Sequence, residues 1–155
     1  MRLEYFQMID TVEALDVEAG TVRAISRVPD ESPVFDGHFP SFPTLPGVMM
    51  LEMINHAAGY LIFRRTEQSK FVFLGGVRRA KFRRFIKPGE VVEIAARLTH
   101  DGSGYAVAEG TIAVDGAVAA DAEVTMIVSD FPSPELAAAF RRHFALVPVS
   151  APAGG

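Results

Sequence analysis

Two ionisable side chains stand in surroundings that call for an explanation. His38 lies in Asp36-Gly37-His38-Phe39-Pro40, within a stretch that holds Pro29, Pro33, Pro40, Pro43 and Pro46. Glu52 lies in residues 48–63, a run so apolar on every side that it reads as a buried helix. Taken singly, a loop histidine is a surface residue, and a glutamate in an apolar helix is paired or snorkels to solvent. Helical spacing changes the balance. Glu52, Asn55, His56 and Gly59 are spaced i, i+3, i+4 and i+7, so the helix's polar residues make one stripe beside a small residue. Burying that stripe against hydrocarbon would cost on the order of several kcal/mol, so it must face a cavity, a partner chain or both. A neutral imidazole can take a proton, and a carboxyl whose charge is disfavoured by burial can keep one to give. Gly47 and Val48 open the helix, and their free N–H groups suit a developing negative charge.

The elements that position these groups follow from periodicity. Residues 21–28 alternate, with Val22, Ala24 and Val28 on one face, which predicts a half-buried strand. The proline-rich stretch, residues 29–46, is excluded from helix and central strand and reads as a long functional loop. Pro46 fits the first turn of the helix, where a missing N–H costs nothing. After Lys70 the period becomes that of strands: residues 71–84, 91–100, 105–114 and 117–129. Asp115-Gly116 is a two-residue hairpin signal, and Gly75-Gly76 inside a strand marks a bulge. In the last strand Val118, Ala120, Ala122, Val124, Met126 and Val128 are expected inward, with Asp121, Glu123 and Thr125 outward. One apolar helix and an antiparallel meander point to α+β, with the sheet wrapped around the helix. Ser133-Pro134 starts a short C-terminal helix with Leu136, Phe140 and Phe144 at four-residue spacing. The domain organisation expected is therefore 1–130 for the main unit, 131–147 for a helical extension and 148–155 for a disordered tail.

Composition narrows the function classes. A chain of 155 residues is one domain with room for a core. Its net charge of −4 makes no case for nucleic acid as a partner. With no cysteine there is no disulfide, thiolate metal site or cysteine nucleophile, which suits a reducing compartment. Residues 1–10 lack the basic and apolar regions of a secretory signal. Residues 48–63 are short for a bilayer and carry Glu52, Asn55 and His56. A soluble, cytoplasmic protein is expected.

The run His38-Phe39-Pro40-Ser41-Phe42-Pro43-Thr44-Leu45-Pro46-Gly47-Val48-Met49-Met50-Leu51-Glu52 resembles the active-site segment of the bacterial 3-hydroxyacyl-acyl-carrier-protein dehydratases of fatty acid synthesis. Ala80-Lys81-Phe82-Arg83-Arg84 and Pro88-Gly89-Glu90 are similar to a further strand and turn of that family, and the likeness spans residues 5–129. The resemblance implies a hot-dog fold and removal of water from a 3-hydroxyacyl thioester. It implies His38 as base toward C2, Glu52 as acid toward the C3 hydroxyl, and the Gly47 N–H beneath the thioester oxygen. Phe39, Val48, His56 and Phe73 are then expected beside the substrate, Phe73 where some members have a tyrosine that gates the acyl tunnel. The substrate carries its own phosphopantetheine, and no metal or other cofactor is implied.

Three departures accompany the likeness: Phe73 in place of the gating tyrosine, His56 where the family has glutamine, and Arg78 where an acidic residue is common. The basic run Arg78, Arg79, Lys81, Arg83 and Arg84 reads either as a solvated strand face or as a dock for an acidic acyl carrier protein. The family implies a homodimer or a trimer of dimers, with His38 of one chain serving Glu52 of the other. The rival readings are a hot-dog acyl-coenzyme A thioesterase and a non-catalytic acyl-binding subunit. The His-Phe-Pro to Pro-Gly-Val segment weighs against the first, and the presence of both His38 and Glu52 against the second.

Overall fold

The alternation after Lys70 produces long antiparallel strands. A computed structural model describes residues 1–39 and 41–150. It contains β1 (Thr11–Asp16), β2 (Thr21–Arg27), α1 (Pro33–Asp36), α2 (Gly47–Arg65), β3 (Phe71–Phe82), β4 (Val91–Gly102), β5 (Tyr105–Val114), β6 (Ala117–Ser129) and α3 (Pro134–Ala145). The strands form one antiparallel sheet in the order β1-β2-β4-β5-β6-β3. Its concave face wraps α2, which touches β2 through β6 and buries Met53, Ile54, Ala57, Ala58, Leu61 and Ile62. This is the α+β architecture expected, a sheet curled around a central apolar helix. The tightest approach is at Gly110 on β5, where an added Cβ would lie 2.2 Å from Cγ2 of Ile54. No helix among the described residues is long and apolar enough to cross a membrane.

Local signals account for most boundaries. The β5–β6 hairpin turns at Asp115 and Gly116, with φ of 51° and 76°, the left-handed pair that a two-residue turn of this kind requires. Gly75 is the expected bulge, since Leu74 pairs with Met126 while Gly76 pairs with Thr125. On β2, Val22 and Ala24 are buried, and Val28 just beyond it completes that face. The side chain of Ser133 accepts from the Leu136 N–H at 3.2 Å and so caps α3. Phe140 and Phe144 of α3 then pack on Phe63 of α2, at ring separations of 5.2 and 4.8 Å.

Elsewhere the fold departs from the sequence reading. The proline-rich loop contains a helical turn, α1, because Ser32 caps it and Pro33 occupies its first position, where the lost N–H is harmless. Pro46 is the N-cap of α2 in extended geometry (φ −58°, ψ 140°), one residue outside the first turn. Val118 is exposed, because β6 carries an extra residue at Ala119: Ala113 pairs with Val118 but Ile112 pairs with Ala120. That bulge turns Val118 outward and buries Ala119. Glu123 faces outward as expected, opposite exposed Glu109 and Arg78, but the paired arginines Arg78 and Arg79 cover it. Finally, residues 148–150 are ordered rather than disordered. The Val12 N–H donates to the Pro148 carbonyl at 2.9 Å, and the Ser150 N–H donates to the Val12 carbonyl at 2.8 Å. The open backbone of β1 supplies that partner, which composition does not reveal. Residues 151–155, like Pro40 in the His-Phe-Pro motif, lie outside the described residues.

Candidate active site

His38 sits just beyond α1, in a loop shaped by aromatic contacts and by unusual backbone. Its N–H donates to the Phe35 carbonyl at 3.3 Å, and its ring lies 4.4 Å from that of Phe39. Phe39 and Ser41 take φ of 56° and 69°, a left-handed conformation that costs a non-glycine residue about 1–2 kcal/mol. Strain of this kind collects where a loop must present a side chain. The loop is held to the body at its far end. Thr44 Oγ1 and the Leu45 N–H both donate to the Ile86 carbonyl, at 3.0 and 2.8 Å, and Phe42 packs edge-on against Phe85 at 5.5 Å.

α2 begins where this anchor ends. The Met49 and Met50 N–H groups donate to the Pro46 carbonyl, which leaves those of Gly47 and Val48 at the open end. Gly47 rests on the Phe82 ring, which an added Cβ would meet at 3.3 Å. Val48 is 70% exposed at the helix start. One and a half turns on, Glu52 Oε1 lies 2.9 Å from His56 Nε2, and Asn55 Nδ2 donates to Glu52 Oε2 at 3.5 Å. The stripe read from spacing is therefore a hydrogen-bonded cluster, and Gly59 leaves open space beyond it. The hydrogen bond with His56 pulls the Glu52 carboxyl below the usual carboxylate range, against burial, which acts the other way. This corrects the expectation that burial makes Glu52 keep its proton. With a quarter of its side chain exposed and an imidazole as neighbour, the carboxyl of the single chain favours its charged form. Among the described residues no hydrogen bond or ion pair joins His38 to Glu52 within the chain.

The basic run is largely internally matched. Arg78 pairs with Glu123 at 2.6 Å, Arg79 pairs with the same carboxylate, Arg83 with Asp121 and Arg84 with Glu90. Strict alternation would send Arg78 and Arg79 to opposite faces. A bulge between Arg78 and Lys81, with Arg79 at φ 55°, turns both toward Glu123. Lys81 has no ion-pair partner among the described residues. Phe73 is exposed on β3 and stacks beside Phe71 at 5.2 Å, so its ring is available at the surface.

With this geometry in place, comparison with known proteins is direct. A family model described as a FabA-like domain matches residues 2–123. The chain belongs to the FabA-like family. Among its relatives is a protein named 3-hydroxyacyl-[acyl-carrier-protein] dehydratase FabZ from Thiobacillus denitrificans, 33% identical over 131 residues and covering 82% of this chain and 90% of the relative. A protein of the same name from Protochlamydia amoebophila is 34% identical over 125 residues, covering 81% of each. Among solved structures, the dehydratase heterocomplex ApeI:P from Xenorhabdus doucetiae superposes with a TM-score of 0.67 at 20% identity, over 87% of this chain and 90% of that one. A putative thioesterase related to phenylacetic acid degradation from Ralstonia eutropha superposes with a TM-score of 0.61 at 22% identity, over 76% and 83% of the two chains. These last two likenesses speak to the hot-dog fold alone.

The FabA-like match ends before α3, and α3 supplies a residue that the sequence reading passed over. His143 reaches back to the stripe, its ring 6.0 Å from that of His56. The available signal was its spacing: Phe140, His143 and Phe144 stand at i, i+3 and i+4, so His143 shares the face that packs inward.

Proposed function

We propose that this FabA-like chain dehydrates a 3-hydroxyacyl thioester carried on acyl carrier protein to the trans-2-enoyl thioester, in fatty acid or related lipid synthesis. The observation that carries the reading is the Glu52–Asn55–His56 cluster, set one and a half turns inside a helix whose first N–H groups have no acceptor among the described residues. The relatives named as dehydratases extend over most of the chain at about a third identity, which supports the same reaction class.

His38 removes a C2 proton and Glu52 protonates the departing C3 hydroxyl, which leaves as water. Charge that develops on the thioester oxygen is met by the Gly47 N–H and the positive end of α2. Glu52 acts as the acid together with His56: one proton held between carboxyl and imidazole stands a single transfer from the hydroxyl. Closing the site against a substrate and a second chain takes the carboxyl out of water and moves that proton toward Glu52. Acid and base supply the whole reaction, so it needs no metal or redox cofactor. Phe39, Val48 and Phe73 are exposed apolar side chains and serve as the acyl contacts in this reading.

The working unit in this reading is at least a homodimer, and its place is the cytoplasm. Support for the dimer comes from β3, twelve residues long, which among the described residues pairs with β6 alone and exposes Phe73, Leu74 and Val77 beside its open edge. A second copy of β3 on a two-fold axis satisfies that edge and brings a second loop toward each helix.

The test is direct. Purified protein given 3-hydroxyacyl-acyl-carrier-protein should generate enoyl-thioester absorbance with no release of free thiol. Thiol release without enoyl product would replace the dehydratase with a thioesterase.

A further inference from the structure

His56 faces two ways. One side meets Glu52, and the other lines a partly open cavity of about 390 Å³ between the N-terminal segment, α2 and α3. His143 of α3 lines the same cavity, half-buried, with its ring 6.0 Å from His56 at an interplanar angle of 82°. The two rings make no direct hydrogen bond among the described residues, and a gap of this size is one that a single water spans. The other titratable and charged groups of the cavity are accounted for. The Met1 amine pairs with Asp10, Asp10 also accepts the Arg27 N–H at 2.7 Å, and Arg2 lies over the Tyr5 ring at 4.0 Å. The Tyr60 hydroxyl accepts from Arg64 at 3.5 Å. His143, next in line to the His56–Glu52 pair, has no such pairing among the described residues.

The proposed dehydration leaves a proton debt. In each turnover His38 gains the C2 proton and Glu52 loses one to the departing water. Before the next cycle His38 must release a proton to solvent and Glu52 must recover one, so the net change is zero. In the proposed dimer with substrate bound, the acyl chain and the second chain would cover the quarter of Glu52 that a single chain exposes to water. We propose that His143 acts through His56 to return this proton, taking it from solvent in the cavity and passing it by His56 to the Glu52 carboxylate. The first imidazole gains a proton on one nitrogen as it gives one from the other, and imidazole is the side chain whose ordinary range suits such exchange near neutral pH. Burial, then the charge of His56, holds His143 below the usual histidine range, so a proton taken from solvent is readily passed on. This step rests on the dehydratase reading and adds to it a residue from the extension beyond the FabA-like match.

Chemical rescue tests it. His143→Ala, assayed on 3-hydroxyacyl-acyl-carrier-protein in weak buffer, should show kcat lower by about five- to tenfold and little change in KM. Added imidazole should restore kcat in a saturating way, while wild type stays insensitive to it. His143→Gln keeps a polar side chain of similar length but cannot titrate, and should show the same loss. It carries the test if the alanine variant loosens α3, as judged by thermal melting. Wild-type kcat in a folded variant, or a loss that imidazole leaves untouched, overturns the shuttle and leaves His143 a packing residue. A wild-type protein that makes no enoyl product fails earlier, and removes the dehydratase reading itself.

Discussion

At Glu52 the hydrogen bond with His56 lowers the carboxyl's pKa and burial raises it, and the first is the larger effect in the single chain. The residue is thus half of a proton-sharing pair, which suits a group that gives up a proton and recovers it in every cycle. Among the described residues His38 has no comparable partner: its ring rests on Phe39 and its position comes from the loop. Both side chains can therefore be changed with little loss of core packing. His38→Ala and Glu52→Gln should each lower kcat by a factor on the order of one hundred or more. Their melting temperatures should stay close to wild type. Near-normal turnover in either folded variant would dismiss the acid–base pair.

Elements position these residues by close approach and by paired charge. Where β5 crosses α2, Gly110 leaves no room for a methyl group, because Ile54 already occupies its place. Gly110→Ala should destabilise the fold by about 1–3 kcal/mol, seen as a lower urea midpoint. An unchanged midpoint would mean that α2 can shift off the sheet at no cost. On β6, Glu123 is buried beneath the hydrogen-bonded guanidinium of Arg78 and then that of Arg79, and both hold its carboxyl below the usual range. A carboxyl depressed in the folded state stabilises above its unfolded pKa and loses that contribution as pH falls through the folded value. Glu123→Gln should therefore lower stability at pH 7, where it leaves two arginines facing each other. The gap from wild type should narrow as the pH is lowered through the depressed folded pKa of Glu123, where the wild-type carboxyl takes up its proton and its ion pairs with the arginines are lost. A gap that stays the same as the pH falls would assign the loss to packing.

For the whole molecule, the open edge of β3 and the separation of His38 from Glu52 within one chain lead to the same experiment. If each site takes His38 from one chain and Glu52 from the other, a mixed dimer of His38→Ala with Glu52→Ala has one doubly damaged site and one intact site. Co-expressed mixed dimers should then recover up to half of the wild-type activity per dimer, although neither parent has any. Mixed dimers as inactive as their parents would place both residues in one chain. Carrier-protein docking belongs to this scale too. Arg78, Arg79, Arg83 and Arg84 already answer carboxylates of their own chain, so reversing their charge disturbs the sheet as well as the surface. Lys81→Glu avoids that confusion. It should raise KM for carrier-linked substrate several-fold, spare a coenzyme A analogue and flatten the salt dependence of the first reaction. Equal losses on both substrates would rule out steering.

Much of this protein is written in short-range pattern. The four long strands, their Asp115-Gly116 turn, the bulge at Gly75 and the cap at Ser133 follow from periods and backbone preferences that act over a few residues. The site segment from His38 to Glu52 is legible for the same reason: prolines, glycines and a helical stripe restrict it locally. Other features depend on which strand lies opposite, in which register. One extra residue at Ala119 turned Val118 out, and another at Arg79 brought two arginines to one buried glutamate. Since side chains alternate along a strand, a shift of one residue reverses every face beyond it, and nothing local announces the shift. The same holds for the ordering of residues 148–150 on β1 and for the meeting of His143 with His56 across 87 positions of chain. The chemistry of the side chains was set by the sequence; which of them became neighbours was decided by the packing of α3 and the sheet around α2, because those contacts are long-range.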